Sequence, residues 1–432
     1  MPETVDFISS LRWTDVPAPA QRRVRHLVAD FAAVSSAGRP APASRIAAEH
    51  AAAIHPGTEA TALFDGRRLG VLGAAWSNGV LANALDMDDG HRLTKGHAGA
   101  IVIPAALAAA QLTNAPEERF LAAVVVGYEI AIRAGIALHG RDPAYHASGA
   151  WGAVGAAAAA ASLLDLSPAL AAHAIGLAEY HAPIASIMRS VAEPAMTKDA
   201  CGHGAWLGVN AALLARRGFT SLPAEFLAGS VDGLGRDWRL HELYVKPYPC
   251  CRWSQAAIHA ALSLRDAGGW AAEAVASVTI RTFAAAAALA NVAPATTEEA
   301  QYNLVWPVAV AIAHGELGVD HVLGPFDDAA VLGLARRTTV EIDPVMEAAF
   351  PARRLSAVDL RLGDGRRLES EVMEPPGEAD DPAWEDVVAG KVARLLGPVG
   401  PELPASRGEL ADLSAAELFH VMRVPTPIAV DA

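Results

Sequence analysis

Long alanine-rich apolar runs constrain this chain more than any other feature. Gly152–Ala161 contains nothing larger than valine, and Leu121–Ile132 is apolar around Tyr128 and Glu129. Alanine is the strongest helix former, and small side chains let neighbouring helices approach closely. Hydrophobic residues make up 52% of the chain and aromatics only 6%, so the core is expected to be built from close-packed helices rather than bulky side chains. The first run is alanine-rich and the second carries Glu129 and Arg133 close by, so both are expected to be buried helices rather than membrane spans. At 432 residues the chain exceeds one ordinary core, and two domains are expected.

The formal charge of −14 argues against a broad basic surface, so nucleic acid is not expected as a partner. Any cationic pocket must be local. The cysteines are Cys201, Cys250 and Cys251. Their odd number and the lack of a C-x-x-C pair fit a reducing compartment and speak against a disulfide framework or structural zinc. No basic segment followed by an apolar run opens the chain, and a cytoplasmic location is expected.

Helical periodicity runs from Val5 to about Leu264, with apolar segments at Gly73–Leu85, Pro104–Leu112, Glu118–Ala137, Trp151–Leu164, Pro168–Leu177 and Ala205–Leu214. Ser167-Pro168 predicts an N-cap followed by proline in the first turn. After Gly268-Gly269 the texture changes. Ala274–Thr282, Thr338–Ile342 and Ala357–Arg361 alternate like strands, and Gly363-Asp364-Gly365 signals a hairpin before Arg367–Val372. Helices are predicted over Glu298–His314 and Trp384–Leu396. The fold class is therefore mainly α: a large all-helical domain over residues 1–266, completed by a tail over 400–432 with a helix at Ser414–Met422, and a smaller α+β lid domain over 267–399. Glu374–Pro382 is expected to be an exposed loop.

Four clusters could carry chemistry. Asp86-Met87-Asp88-Asp89-Gly90-His91-Arg92, followed by His97-Ala98-Gly99, crowds acids that must be neutralised by cations, hydrogen bonds or a metal. A solvated helix end or a Mg²⁺ site would each explain it; terpene-cyclase chemistry would need a second metal motif, which is lacking. Tyr145–Gly152 places His146 near a helix start, where a cap or an anion contact is possible. In Met196–Gly204, Lys198 precedes an apolar helix and is either a solvated charge or an amine fit for proton transfer. In Lys246-Pro247-Tyr248-Pro249-Cys250-Cys251-Arg252, two cations flank a rigid turn, as a carboxylate clamp requires; the alternative is a surface turn.

In order and spacing, these clusters resemble the MmgE/PrpD family. The match is carried by Leu27–Asp30, Asn83–Asp89, His97–Gly99, Ser148–Gly152, Thr197-Lys198, Lys246–Arg252, Ala300-Gln301-Tyr302 and Val308–Val310. The resemblance implies a cleft between a helical domain and a lid, a homodimer, and no metal or organic cofactor. It implies dehydration, decarboxylation or epimerisation of a small polycarboxylic acid. By position it implies that Asp86, His97, His146, Lys198 and Lys246 are active-site residues. Charge and geometry add Arg252, and the departures at Gly90, His91, Arg92 and Trp306, with Tyr302 nearby, redraw the pocket floor.

The expected function is a cofactor-free lyase that moves a proton next to a carboxylate, with loss of water as the first reaction and isomerisation or decarboxylation as alternatives. Asp86, His97, His146 and Lys198 form the expected acid–base set. His91, Arg92, Lys246, Arg252, Tyr302 and Trp306 are expected to hold substrate. A Mg²⁺-dependent enzyme and a non-catalytic binding protein are the rival classes.

Overall fold

A computed structural model describes residues 2–227 and 231–396. The expected tail over 400–432 lies outside them. The described residues form eighteen α-helices and eight short strands, so the fold is mainly α.

The alanine runs become the centre of the molecule. The helices Gly99–Thr113, Glu117–Arg141, Gly149–Leu163 and Cys201–Arg216 pack face to face in one core. Their spacing depends on small residues. A Cβ added at Gly155 would stand 2.4 Å from the Gly127 carbonyl oxygen and from the Ala131 Cβ, and one at Gly208 would stand 2.4 Å from the Ala156 Cβ. Glu117–Arg141 is the one described helix long and apolar enough to cross a membrane, and 89% of its apolar window is buried inside the protein. The charged Glu129 and Arg133 within it form a buried ion pair with each other. The Ser167 hydroxyl caps the Pro168–Tyr180 helix by accepting from the Leu170 amide.

A second core gathers around a four-stranded sheet. Its spatial order is Thr338–Ile342, Val275–Thr282, Ala357–Leu362, Arg367–Glu369. The first two strands are parallel and the others antiparallel. The expected hairpin turns at Gly365, whose φ is +92°.

Three local expectations are corrected. The Arg252–Ala267 helix packs in the second core, through Trp253, Ala257, Ile258 and Leu264, so the change of core falls before residue 252 rather than at 267. The Trp384–Leu396 helix returns to the first core. There Lys391 Nζ lies 2.6 Å from Asp30 Oδ1 and donates to the Met87 carbonyl at 2.6 Å, all three buried. The helix expected over Glu298–His314 is broken into Thr297–Gln301 and Val305–His314. Asn303 causes the break: its side-chain oxygen takes the Trp306 amide at 2.8 Å, starting a second helix there.

If small residues set the helix spacing, Gly155→Val must push two helices apart. We expect a stability loss of about 3 kcal/mol, read as an earlier urea-unfolding midpoint. An unchanged midpoint would refute this account of the core.

Candidate active site

The Val71–Asn83 helix ends one turn before the acid-rich loop. Asp86 sits at φ +51°, and across the cleft Lys198 and Ala200 sit at φ +39° and φ +55°. Non-glycine residues hold such left-handed conformations only where their surroundings fix them, at a cost of about 1–3 kcal/mol each. Gly90–His91 pairs antiparallel with Leu243–Tyr244, which brings the acid loop to the Lys246 turn. Only glycine fits at position 90, because a Cβ there would meet the Tyr244 ring at 2.4 Å.

The acids are neutralised by protein cations rather than by water. Lys246 is fully buried, and its Nζ lies 2.9 Å from Asp86 Oδ1. Burial opposes the Lys246 charge, but Asp86 and Asp88 outweigh it and raise the ammonium pKa above its usual range. Burial likewise opposes the charge on Asp86, yet Lys246, Lys198 and His97 hold its carboxyl below the ordinary value. Lys198 Nζ donates to the Asn83 carbonyl at 2.5 Å and to Gln301 Oε1 at 2.6 Å. Asp89 differs: burial pushes it up to about 6, against hydrogen bonds from the Tyr128 hydroxyl at 2.5 Å and the Gly99 amide at 2.9 Å.

His97 is the centre of this set. Its Nδ1 lies 3.0 Å from Asp88 Oδ2 and 3.1 Å from the Asp89 carbonyl oxygen. Its Nε2 lies 3.4 Å from Asp86 Oδ1 and 3.8 Å from Asp199 Oδ2. Burial disfavours the imidazolium, but Asp88 and Asp199 overcome it and raise the His97 pKa to about 9. Ser148 ties the parts together, accepting from the His97 amide at 2.9 Å and donating to Asp199 Oδ1 at 2.7 Å. The Tyr302 hydroxyl donates to Asp199 Oδ2 at 3.3 Å. With Nδ1 engaged, Nε2–H is the proton available to a substrate.

A cavity of about 60 Å³ is lined in part by His97. Asp86, His97 and Asp199 line it from the first core, and Arg252, Trp253, Tyr302 and Arg354 from the segments around the second. An adjoining cavity of about 500 Å³ shares Val191 and Tyr302 with it.

The structure therefore brings Asp86, His97, Tyr302 and Arg252 to one cavity, with Lys246 and Lys198 immediately behind. It does not bring the rest. His91 is turned away, buried with Nε2 3.0 Å from Glu242 Oε2. Arg92 is exposed and donates to the Ala352 carbonyl at 2.8 Å. Trp306 lies in the second core, donating to the His321 carbonyl at 2.9 Å with its ring edge on Phe326. His146 is off the cavity wall, its ring 5.3 Å from that of His139 and its Nε2 3.4 Å from Asp142. Arg252 lines the cavity, but its terminal nitrogens already serve the carbonyls of Val245, Pro375 and Pro376 and the Glu378 carboxylate. Glu374–Pro382 is thus a half-buried clamp on Arg252 rather than an exposed loop.

Sequence reasoning missed Asp199, Lys95, Tyr145, Tyr244 and Arg354. Asp199 and Tyr145 stood inside clusters already singled out, beside Lys198 and His146. Arg354 lies in no motif.

Asp86, Asp88 and His97 each offer an atom that could face a metal ion. In this arrangement the same groups are engaged with one another and with Lys246, His97 Nδ1 3.0 Å from Asp88 Oδ2 and Lys246 Nζ 2.9 Å from Asp86 Oδ1.

The raised His97 pKa has a testable sign. Imidazolium stabilised in the folded state adds stability that is fully present below pH 6.5 and is lost as pH rises through about 9. We expect urea stability to fall across that window, and the fall to flatten in His97→Gln. An identical pH profile in the variant would refute the charged assignment.

The chain matches the MmgE/PrpD N-terminal domain over residues 3–236 and the MmgE/PrpD C-terminal domain over residues 248–416. It is 26% identical over 445 residues to the cis-aconitate decarboxylase-like protein oryM of Aspergillus oryzae, covering 92% of this chain and 90% of that protein. It is 25% identical over 279 residues to the cis-aconitate decarboxylase of Aspergillus terreus, covering 58% of this chain and 56% of that enzyme. With both domains matched in order along nearly its whole length, the chain belongs to the MmgE/PrpD family.

Proposed function

We propose that this chain is a lyase that cleaves a bond next to a carboxylate of a small polycarboxylic acid, with His97 as the proton donor. One observation carries the reading: buried His97 lines a cavity with its Nδ1 held by Asp88 and the Asp89 carbonyl, and the surrounding carboxylates raise its pKa to about 9. In such a site the donor needs no reorganisation by water when charge develops on the substrate.

Loss of carbon dioxide asks least of these residues. The carbon–carboxylate bond breaks, its electron pair stays on carbon, and His97 Nε2–H supplies the proton to that carbon. Solvent then restores the proton on His97. The named decarboxylase relatives support this order of preference. Loss of water uses the same donor on the leaving hydroxyl but also needs a base at the neighbouring C–H. Asp199, bonded to Ser148 and Tyr302 rather than to an ammonium, favours that second reading. Lys198 is assigned to positioning rather than proton abstraction, because its ammonium donates to Asn83 and Gln301.

The segments around the second core act as a lid. A polycarboxylic acid would enter the 60 Å³ cavity as Arg354, Trp253 or the 187–191 segment draws back. A homodimer is part of the proposal. Tyr180, Ile184, Met196, Phe219 and Leu222 are exposed apolar residues of the first core's outer helices and loops, and a second copy would cover them. Phe219→Glu is expected to shift the chain to monomer in sedimentation; a monomeric unsubstituted chain would refute the dimer.

Turnover is tested by proton NMR in D₂O with EDTA present, using cis-aconitate, citrate and 2-methylcitrate. We expect product without added metal, and His97→Gln is expected to lower kcat roughly 10²- to 10⁴-fold. Full turnover by a folded His97→Gln, or strict dependence on Mg²⁺, would overturn the assignment.

A further inference from the structure

Arg354 is 4% exposed, yet among the described residues it makes no hydrogen bond. A guanidinium carries five N–H donors, and a buried charge left without partners is strongly disfavoured. Its nearest carboxylate is Glu378, with Oε1 3.8 Å from Nη1. That oxygen is already engaged at 2.9 Å by Arg252 Nη2. The two arginines both approach the Tyr244 ring, Arg252 at 4.4 Å and Arg354 at 5.8 Å from its centroid. Both arginines leave Nε without a partner, but the terminal nitrogens of Arg252 are engaged by carbonyls and Glu378, and those of Arg354 are not.

Arg354 also lines the cavity over His97. Tyr145 shares that wall, and the positive charge of Arg354 acts on its hydroxyl. Over the Tyr145 ring, at 4.3 Å, stands the Lys95 ammonium, bonded only to the Pro143 carbonyl. Lys95 too is held at positive φ, +55°. The cavity wall therefore carries Lys95 and Arg354 as well as Asp86, His97 and Asp199.

We infer that Arg354, assisted by Lys95, is a binding subsite for a second carboxylate of the substrate, one remote from the bond that His97 serves. Resting on the polycarboxylate reading above, this narrows it to acids with a carboxylate beyond the reacting end. The unmade donors of Arg354 fit the two oxygens of a carboxylate held side by side. Arg252 acts through Glu378 and Tyr244 as a positioning residue, and Arg354 is the group that touches substrate.

Isothermal titration of the full chain tests this with citrate, glutarate, butyrate and inorganic phosphate as probes. The unsubstituted chain should prefer citrate, then glutarate, then butyrate. Arg354→Gln should weaken citrate and glutarate roughly 10- to 100-fold and erase the advantage of glutarate over butyrate, and Arg354→Lys should recover part of the loss as a point charge. Unaltered citrate binding by Arg354→Gln refutes the subsite alone, as does phosphate binding tighter than every acid. No binding of any acid to the unsubstituted chain refutes the polycarboxylate reading and the subsite together. Should Arg354→Gln lose its native melting transition, Arg354→Lys decides: undiminished citrate affinity with a native transition shows that the planar fork is not used and overturns the proposal.

Discussion

Lys246 and Asp86, 2.9 Å apart and sealed from water, govern the chemistry around them. Removing either partner would strand a buried charge, which costs about 3–5 kcal/mol in comparable pairs. Because the ammonium holds Asp86 ionised, Asp86 in turn favours a charged His97 at 3.4 Å. Asp88, also held ionised, fixes the other face of the ring. An imidazole that would otherwise lose its proton on burial is thereby kept loaded as an acid. Lys246, Lys198 and His97 are the cations that hold the acid loop ionised.

This electrostatic set is built by geometry that distant parts of the chain supply. The acid loop follows a helix of the first core, Lys246 arrives on a two-residue strand pairing, and Gln301 enters from a helix break beside the second core. The left-handed backbone at Asp86, Lys198 and Ala200 shows that the loops are held rather than relaxed. Such strain persists only within a rigid frame, and the close-packed alanine helices supply that frame.

Much of this was legible in the sequence, for definite reasons. Alanine runs and 3.6-residue periodicity report directly on buried helices, and alternating β-branched residues report on strands. Clustered acids had to be neutralised, but Lys246 was expected to hold a substrate carboxylate, and the carboxylate it holds is that of Asp86. What escaped was tertiary. Nothing in Glu298–His314 announces that Asn303 would cap a new helix and present Tyr302 to the cavity. Neither Trp306 nor His91 carries a local mark of the side to which it turns. Arg252 and Arg354 are chemically identical, and only the carbonyls of Val245, Pro375 and Pro376 separate the engaged one from the free one.

The Lys391 contact gives the chain an order of events. Asp30 is made early and Met87 soon after, yet both wait for a lysine some three hundred residues further along. On a ribosome, the first core would emerge with a bare carboxylate at its centre and an unsupported carbonyl beneath the acid loop. It can collapse around its alanines, but it cannot finish. Completion of the candidate site is therefore coupled to synthesis of the second core, and a partial chain would hold the acid loop without the lysine that supports it.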